Sequence, residues 1–351
     1  MNKNVKILAI DIGGSKILSA VVKIEYGKDK KRVSLAGVSK RFFMNEFGKR
    51  EVKIAVSNII QETLKKTGEN WDSIKSIGIT IPGVAAPKLG CWVYSPFSGI
   101  CNFPIVKELQ DLYHCPVFCD NDVNACAWGE KVFGICQNVD NYVWITISNG
   151  IGGGLVLNGQ VYPGKFLGAA EIGHLNVIEN GELCGCGNRG CLEAVAAGPA
   201  IALKYHKMIA RYVARRNIDS TLYTAWLKYL KAEMCNKSEY FSTNENLTAT
   251  TIADEARRNN PLSRLVYHEV GHHIGRAISW ITNLVNPEKI VIGGGVVGAF
   301  ELFYPSLLET FQKYLFKQTN KKVIIERTGL GYEAGLLGAA ALAFNNPYIS
   351  G

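Results

Sequence analysis

"VKILAIDIGGSKILSAVVKI", residues 5 to 24, is two apolar runs joined at Gly13-Gly14, with one acid, Asp11, near the end of the first. Short aliphatic runs broken by glycine read as strand, tight turn, strand. A third strand around "VSLAGVSKRFF" (33–43) extends the meander, and "REVKIAVSNIIQETLKKTG" (50–68) predicts a helix with a glycine stop at Gly68. "IKSIGITIPG" (74–83) is a buried strand ending at Pro82-Gly83, and "CPVFCDND" (115–122) is a short strand ending in acids. Asn121 to Phe133 then reads as a helix stopped by Gly134.

Further along, "NYVWITIS" (141–148), a glycine run and "LVLNGQVY" (155–162) read as a hairpin-like pair. From Cys191 to Val285 the pattern is mostly helical, interrupted by the polar loop "NKSEYFSTNENLTAT" (236–250). "EKIVIGGG" (288–295) is a strand ending in glycines, followed by a helix, the strand "KKVIIER" (321–327) and a Gly/Ala-rich final helix. Mixed strands and helices with glycine turns at strand ends predict an α/β fold with ligand sites at those turns. No long internal repeat is apparent in the sequence.

The chain has 351 residues, 47% of them hydrophobic, 20% charged and 10% aromatic, ordinary for a globular protein with room for two domains. No apolar run is long enough to span a bilayer, and Asp11 interrupts the first one, so the N-terminus reads as a strand and the expected location is cytoplasmic. Of ten cysteines, three crowd into 184–191 and seven are scattered, so no disulfide framework is expected. The net charge of +9 comes from small scattered basic groups, which favours solvated surface over a nucleic-acid face.

Three glycine clusters each follow an apolar strand: Asp11-Ile12-Gly13-Gly14-Ser15-Lys16, Asn149-Gly150-Ile151-Gly152-Gly153-Gly154 and Gly293-Gly294-Gly295. Glycines permit positive φ and close backbone approach to phosphate oxygens. Each alone reads as a structural turn rather than a phosphate loop, whereas three at strand ends shift the reading towards a nucleotide. Asp11 is placed either to hold Mg²⁺ near those phosphates or to cap its own turn. In "CDNDVNA", Asp120, Asn121, Asp122 and Asn124 exceed what N-capping needs, so a carboxylate there could accept a hydroxyl proton.

Two stretches carry metal-ligand spacing. His174, Cys184, Cys186 and Cys191 make a three-thiolate, one-imidazole set of the closed structural type for Zn²⁺, on a glycine-rich loop with no apolar core to fill. "YHEVGHHIGRA" (267–277) contains a literal H-E-x-x-H. Helical phasing puts Val266, Val270, Ile274, Ala277, Ile281 and Val285 on one stripe, leaving His268 and His272 opposite it, between Arg264 and Arg276. With no third ligand in sequence, this face reads as solvated or interface-facing rather than zinc-binding.

Over nearly its whole length the chain resembles the ROK family of sugar kinases and related regulators. The resemblance rests on "LAIDIGGSKI", "FCDNDVNACAWGE" (family ENDANxxAxGE), "GAAEIGH" (GAGEIGH), "CGCGNRGCLEA" (CxCGxxGCLEA), "NPEKIVIGGG" and "GLLGAAAL". It implies a two-lobed actin/hexokinase-like (ribonuclease H-like) ATPase fold with a central cleft, usually dimeric. The implied division is a smaller lobe over 1–120, completed by a C-terminal helix at 333–346, and a larger lobe over 121–332. The implied activity is ATP-dependent phosphorylation of a sugar hydroxyl, most often at C6 of a hexose. Asp122 would be the general base, and Asn121, Glu171, His174, Glu193 and Gly83 would lie by the sugar. Asp11, Gly13, Gly14, Ser15 and Lys16, with Asn149, Gly150, Gly152 and Gly153, would serve Mg²⁺ and phosphates. Gly294 and Gly295 would lie by the adenosine, and His174 would offer one nitrogen to zinc and the other to sugar.

The family's Gly-Thr before the second glycine loop is Ser148-Asn149 here, and the stretch "VAAPKLGCWVYSPFSGICNF" (84–103) matches only loosely. Both bear on the runner-up expectation, a catalytically weak sugar-binding sensor. A DNA-binding regulator would carry a helix-turn-helix before the first loop, which begins at residue 11.

Overall fold

The computed structural model describes residues 4–26, 31–43, 48–96, 98–215, 247–318 and 322–348. Most of the predicted polar loop at 236–250 and the sequence after 215 lie outside these residues.

The first sheet has the order β3-β2-β1-β4-β8, from β1 (Val5–Ile12), β2 (Lys16–Tyr26), β3 (Lys31–Phe42), β4 (Ser76–Ile81) and β8 (Val117–Asn121). β1, β2 and β3 form the predicted antiparallel meander, while β4 and β8 run parallel to β1. Helix α1 (Lys49–Thr67) ends at Gly68, in the left-handed region at φ 65° as its glycine stop requires. A small sheet of β5 (Val84–Ala86), β6 (Cys91–Tyr94) and β7 (Cys101–Phe103) and helix α2 (Ile105–Tyr113) fill the span between β4 and β8.

The second sheet, β11-β10-β9-β12-β13, is built from β9 (Tyr142–Ile147), β10 (Ile151–Leu157), β11 (Gln160–Val161), β12 (Lys289–Gly293) and β13 (Ile324–Arg327). It repeats the plan of the first: three antiparallel strands, then two parallel ones. The repeat is one of topology, and no long repeat in the sequence accompanies it. This duplicated mixed α/β arrangement is the two-lobed hexokinase-like architecture.

The helices are α3 (Asp122–Val132), α4 (Glu193–Ala196), α5 (Gly198–Arg215), α6 (Ala249–Arg257), α7 (Pro261–Val285), α8 (Phe300–Tyr314) and α9 (Ala334–Phe344). The Gly/Ala-rich composition of α9 is a packing requirement. A Cβ on Gly78 of β4 would stand 1.8 Å from the Ala339 carbonyl oxygen, and one on Gly338 would stand 2.5 Å from that of Ala125 on α3. No larger side chains fit where α9 is pressed against β4 and α3.

Gly134 follows the end of α3 as expected, and it has a second role. The cap of α3 is Phe133, and Gly134 leaves room for Glu130, whose Oε2 would lie 1.9 Å from an added Cβ. Glu130 is fully buried and accepts the N–H groups of Ile135 and Gly329, each at 2.9 Å, and the hydroxyl of Thr328. It thereby ties α3 to the segment leading into α9. Glu130→Ala is expected to cost about 2–6 kcal/mol, because two part-buried N–H groups lose a charged acceptor at roughly 1–3 kcal/mol each. Denaturant titration reads this directly, and an unchanged midpoint would rule out the carboxylate as the tie.

Helix α7 carries the predicted stripe, with Val266, Val270, Ile274, Ala277 and Ile281 all buried. The face opposite is not simply solvated, however. Gly271 and Gly275 abut the carbonyl oxygens of Phe303 and Leu307 on α8, at 2.1 and 2.3 Å from where a Cβ would be. His272 Nδ1 meets Thr310 Oγ1 at 2.9 Å on the same helix, while His268 is exposed. The H-E-x-x-H letters therefore serve a close helix pair, and no metal-ligating cluster forms there among the described residues.

Candidate active site

Three parallel strand ends converge. Asp11 on β1 pairs with Thr80 on β4, and Thr80 pairs in turn with Asp120 on β8, so Asn121 and Asp122 follow at the same edge. Ligand chemistry gathers at such carboxyl ends because loops and helix N-termini face outward there. Thr80 donates its hydroxyl to Asp11 Oδ1 at 2.6 Å. The Asp11 carboxylate also lies against the first turn of α9, 2.5 Å from where a Cβ on Gly335 would sit. That helix N-terminus favours negative charge. Burial still raises the Asp11 pKa, opposed by Thr80 and by the charge of Lys16.

Asn121 caps α3: its Oδ1 accepts the Asn124 N–H at 2.8 Å, which leaves its amide NH₂ free to face a ligand. Asp122 follows as the first residue of the helix, partly exposed, with Oδ1 accepting the Val123 N–H at 3.0 Å. Desolvation pushes its carboxyl up to about 7, with the negative charge of Asp11 next in effect and Asp120 adding to it. A carboxylate tuned to this range takes a proton efficiently at neutral pH.

The glycine loops divide into two kinds. Gly13 to Lys16 is a tight hairpin, closed by the Gly13 N–H on the Lys16 carbonyl at 2.8 Å; Gly14 and Ser15 are its tip. Lys16 Nζ donates to the Tyr332 hydroxyl at 2.9 Å. In the second cluster the turn is Ser148-Asn149-Gly150, with the Ser148 N–H on the Gly150 carbonyl at 2.8 Å. Gly152 and Gly153, expected in a phosphate loop, lie inside β10 instead. There an added Cβ would meet Val123 at 2.9 Å and Ile172 at 2.2 Å, so they are glycine for packing. The positive φ expected of these clusters occurs at Gly294, φ 88°, where a Cβ would strike the backbone of Ile147; Gly83, between β4 and β5, shares it, also at 88°.

His174, Cys184, Cys186 and Cys191 come together, with their ligand atoms all within 4.8 Å of one another. Cys186 Sγ lies 3.7 Å from Cys191 Sγ, and Cys184 Sγ lies 3.6 Å from His174 Nδ1. A tetrahedron with Zn–S bonds of about 2.3 Å has edges of about 3.8 Å, so the set fits that ion. Burial raises the thiol pKa values of Cys184 and Cys191, and a divalent cation is what would hold all three sulfurs as thiolates. His174 turns Nε2 the other way, 4.0 Å from Glu171 Oε2. Glu193 links the cysteine loop to the second glycine turn: Oε2 accepts the Ile151 N–H at 2.9 Å and Oε1 lies 3.9 Å from Cys184 Sγ.

A cavity of about 620 Å³ opens between α5, α6 and the turns at Asn149 and Gly295. Leu203, Leu247, Ala253 and Val296 supply apolar wall, while His206, Thr248 and Arg257 add polar groups. Apolar walls with a few polar groups suit a nucleobase and ribose. None of these residues except those at the two turns was marked by sequence, because they come from helices with no motif of their own.

The ROK family model matches residues 7–346. A glucokinase of Thermotoga maritima is 31% identical over 338 residues, covering 96% of each chain. A xylose repressor of Caldicellulosiruptor bescii is 24% identical over 344 residues, 95% of this chain and 80% of the repressor. Among solved structures, a ROK family glucokinase from Streptomyces griseus in complex with glucose and AMPPNP superposes with a TM-score of 0.75 at 26% identity. That match covers 96% of this chain and 98% of the other.

Proposed function

This chain belongs to the ROK family, and we propose that within it the protein is an ATP-dependent sugar kinase. The reaction is transfer of the γ-phosphate to a hexose hydroxyl, the 6-hydroxyl of glucose or a related hexose or N-acetylhexosamine. The observation that carries this reading is the convergence of Asp11 with Asn121-Asp122 at one edge, Asp122 being pushed up to about 7.

Asp122 accepts the proton of the attacking hydroxyl. The Asn121 amide, Glu171, Glu193, His174 Nε2 and the Gly83 loop orient the sugar, so an analogue lacking one hydroxyl leaves a polar group unpaired. The hairpin at Gly13, Gly14, Ser15 and Lys16 and the turn at Asn149-Gly150 hold the phosphates, with the base in the cavity beside Gly294 and Gly295. Mg²⁺ would be held by the Asp11 oxygen that Thr80 does not engage, a hard oxygen donor suited to it, and would neutralise phosphate charge. Zn²⁺ would be structural, orienting His174 and the loop that leads to Glu193. Closure of two lobes, residues 1–120 with 333–346 against 121–332, would exclude water from the transfer. The working unit proposed is a homodimer. No described helix is long and apolar enough to cross a membrane.

The test is a coupled assay with ATP, Mg²⁺ and a panel of glucose, mannose, fructose, N-acetylglucosamine, N-acetylmannosamine and allose. Turnover of at least one is expected; none, with intact nucleotide binding, would favour a sugar sensor. That second reading draws on the repressor relative and on Asn149 at the cavity edge. Because the base works unprotonated, kcat/KM should rise with pH through about 7 and level above it. A flat profile from pH 5 to 8 would remove Asp122 from that role.

A further inference from the structure

We propose that Tyr348 and Asp120 form a latch, by which the C-terminal tail fixes the strand end carrying Asn121 and Asp122 and keeps a second negative charge beside Asp122. The proposal rests on the reading of Asp122 as general base. Asp120 is 1% exposed and sits one residue before the pair. Its Oδ1 accepts the Asn121 N–H at 2.7 Å, and its Oδ2 accepts the Tyr348 hydroxyl. Asn124, on α3, adds a third hydrogen bond. With both oxygens engaged from within the protein, Asp120 is a positioning residue and offers nothing to a substrate.

The tail is led there by its own contacts. The Asn345 carbonyl accepts the Trp128 indole N–H from α3, and the Tyr348 N–H bonds Asn346 Oδ1 at 2.8 Å. The Tyr348 ring then packs on the core that contains Ala125, Trp128 and Leu337. A hydroxyl 228 residues away in sequence is thus delivered to the buried acid.

The electrostatic consequence has a definite sign. Donors to the charged form favour it, so the Tyr348 hydroxyl favours ionised Asp120; burial is the larger effect, and with the donors in place the carboxyl is still pushed up to about 7. The other titratable groups bearing on Asp120 and Asp122 are Cys119 on β8, Asp11 on β1 with Lys16 beside it, and Cys126 on α3. When Asp120 loses its charge, Asp122 feels one fewer like charge and binds its proton less tightly.

The experiment compares wild type, Tyr348→Phe, Asp120→Asn and the double variant. Each single change should move the acid limb of kcat/KM to lower pH, by on the order of half a unit. The double variant should move it no further than the larger single effect, since both changes act on one charge. An unmoved limb in the singles, or a shift to higher pH, overturns the latch. Tyr348→Phe keeps the ring and its packing, so it decides alone if Asp120→Asn does not fold. Should wild type turn over no sugar, the kinase reading falls by itself. Carboxyl-carbon NMR titration of Asp122 in the same proteins then judges the latch, and an unchanged Asp122 midpoint in Tyr348→Phe overturns it.

Discussion

Replacing Asp122 by Asn is expected to lower phosphoryl transfer by about 10²–10⁴-fold while sugar and nucleotide still bind. The amide keeps the shape of the carboxylate, and its Oδ1 can still accept the Val123 N–H, so the start of α3 is retained. What it loses is the ability to take a proton from the hydroxyl. The same change relieves like-charge repulsion with Asp11 and Asp120, so the variant should melt no lower than the parent. Coupled-assay kcat, sugar affinity by calorimetry and a melting curve together decide the matter. If sugar binding disappears with activity, Asp122 is a ligand contact and the base lies elsewhere.

The second large effect concerns the loop that carries Cys184, Cys186 and Cys191. Wild type should carry about one zinc ion per chain, and the double change Cys184→Ser with Cys186→Ser should remove it. Cys184, Gly190 and Cys191 are buried, but Gly185 to Arg189 are exposed, so this stretch has no apolar core and is held by its ligands and by backbone hydrogen bonds such as that from the Cys184 N–H to the Asn188 carbonyl at 2.8 Å. Without the ion His174 loses the partner on Nδ1 that orients its ring, and Glu193 loses a fixed neighbour in Cys184. Sugar phosphorylation should then fall on the order of 10–100-fold, the scale seen when the supports of a site are lost. Metal analysis of the purified variant gives the answer, and retained zinc would refute the site. Substituting His268 and His272 together is the control: metal content should not change, since His272 is engaged with Thr310 rather than with a ligand set.

The two metal readings show how far sequence alone reaches. Cys184, Cys186 and Cys191 lie within eight residues and His174 ten residues before them, so local chain geometry limits where they can go. H-E-x-x-H was equally local and equally suggestive, yet its role was settled by α8, a partner more than thirty residues away. The glycine clusters divide in the same way. Their position at strand ends was legible, but that Gly152 and Gly153 serve packing depends on Val123 and Ile172 lying over them.

The elements and the chemistry-bearing letters were written locally: apolar runs set the strands, glycine and polar stops bounded them, and short spacings marked the His174 and Cys184–Cys191 set and the Asn121-Asp122 strand end. The tertiary structure decided what those letters do. It duplicated one strand plan in two sheets with no matching sequence repeat. It set Asp11, Thr80 and Asp120 side by side across strands, brought Tyr348 back to Asp120, and opened a cavity between helices without motifs. Local periodicity follows from backbone geometry and is written residue by residue. Charge coupling, desolvation and close packing depend on groups tens to hundreds of positions apart, so they exist only once the chain has folded.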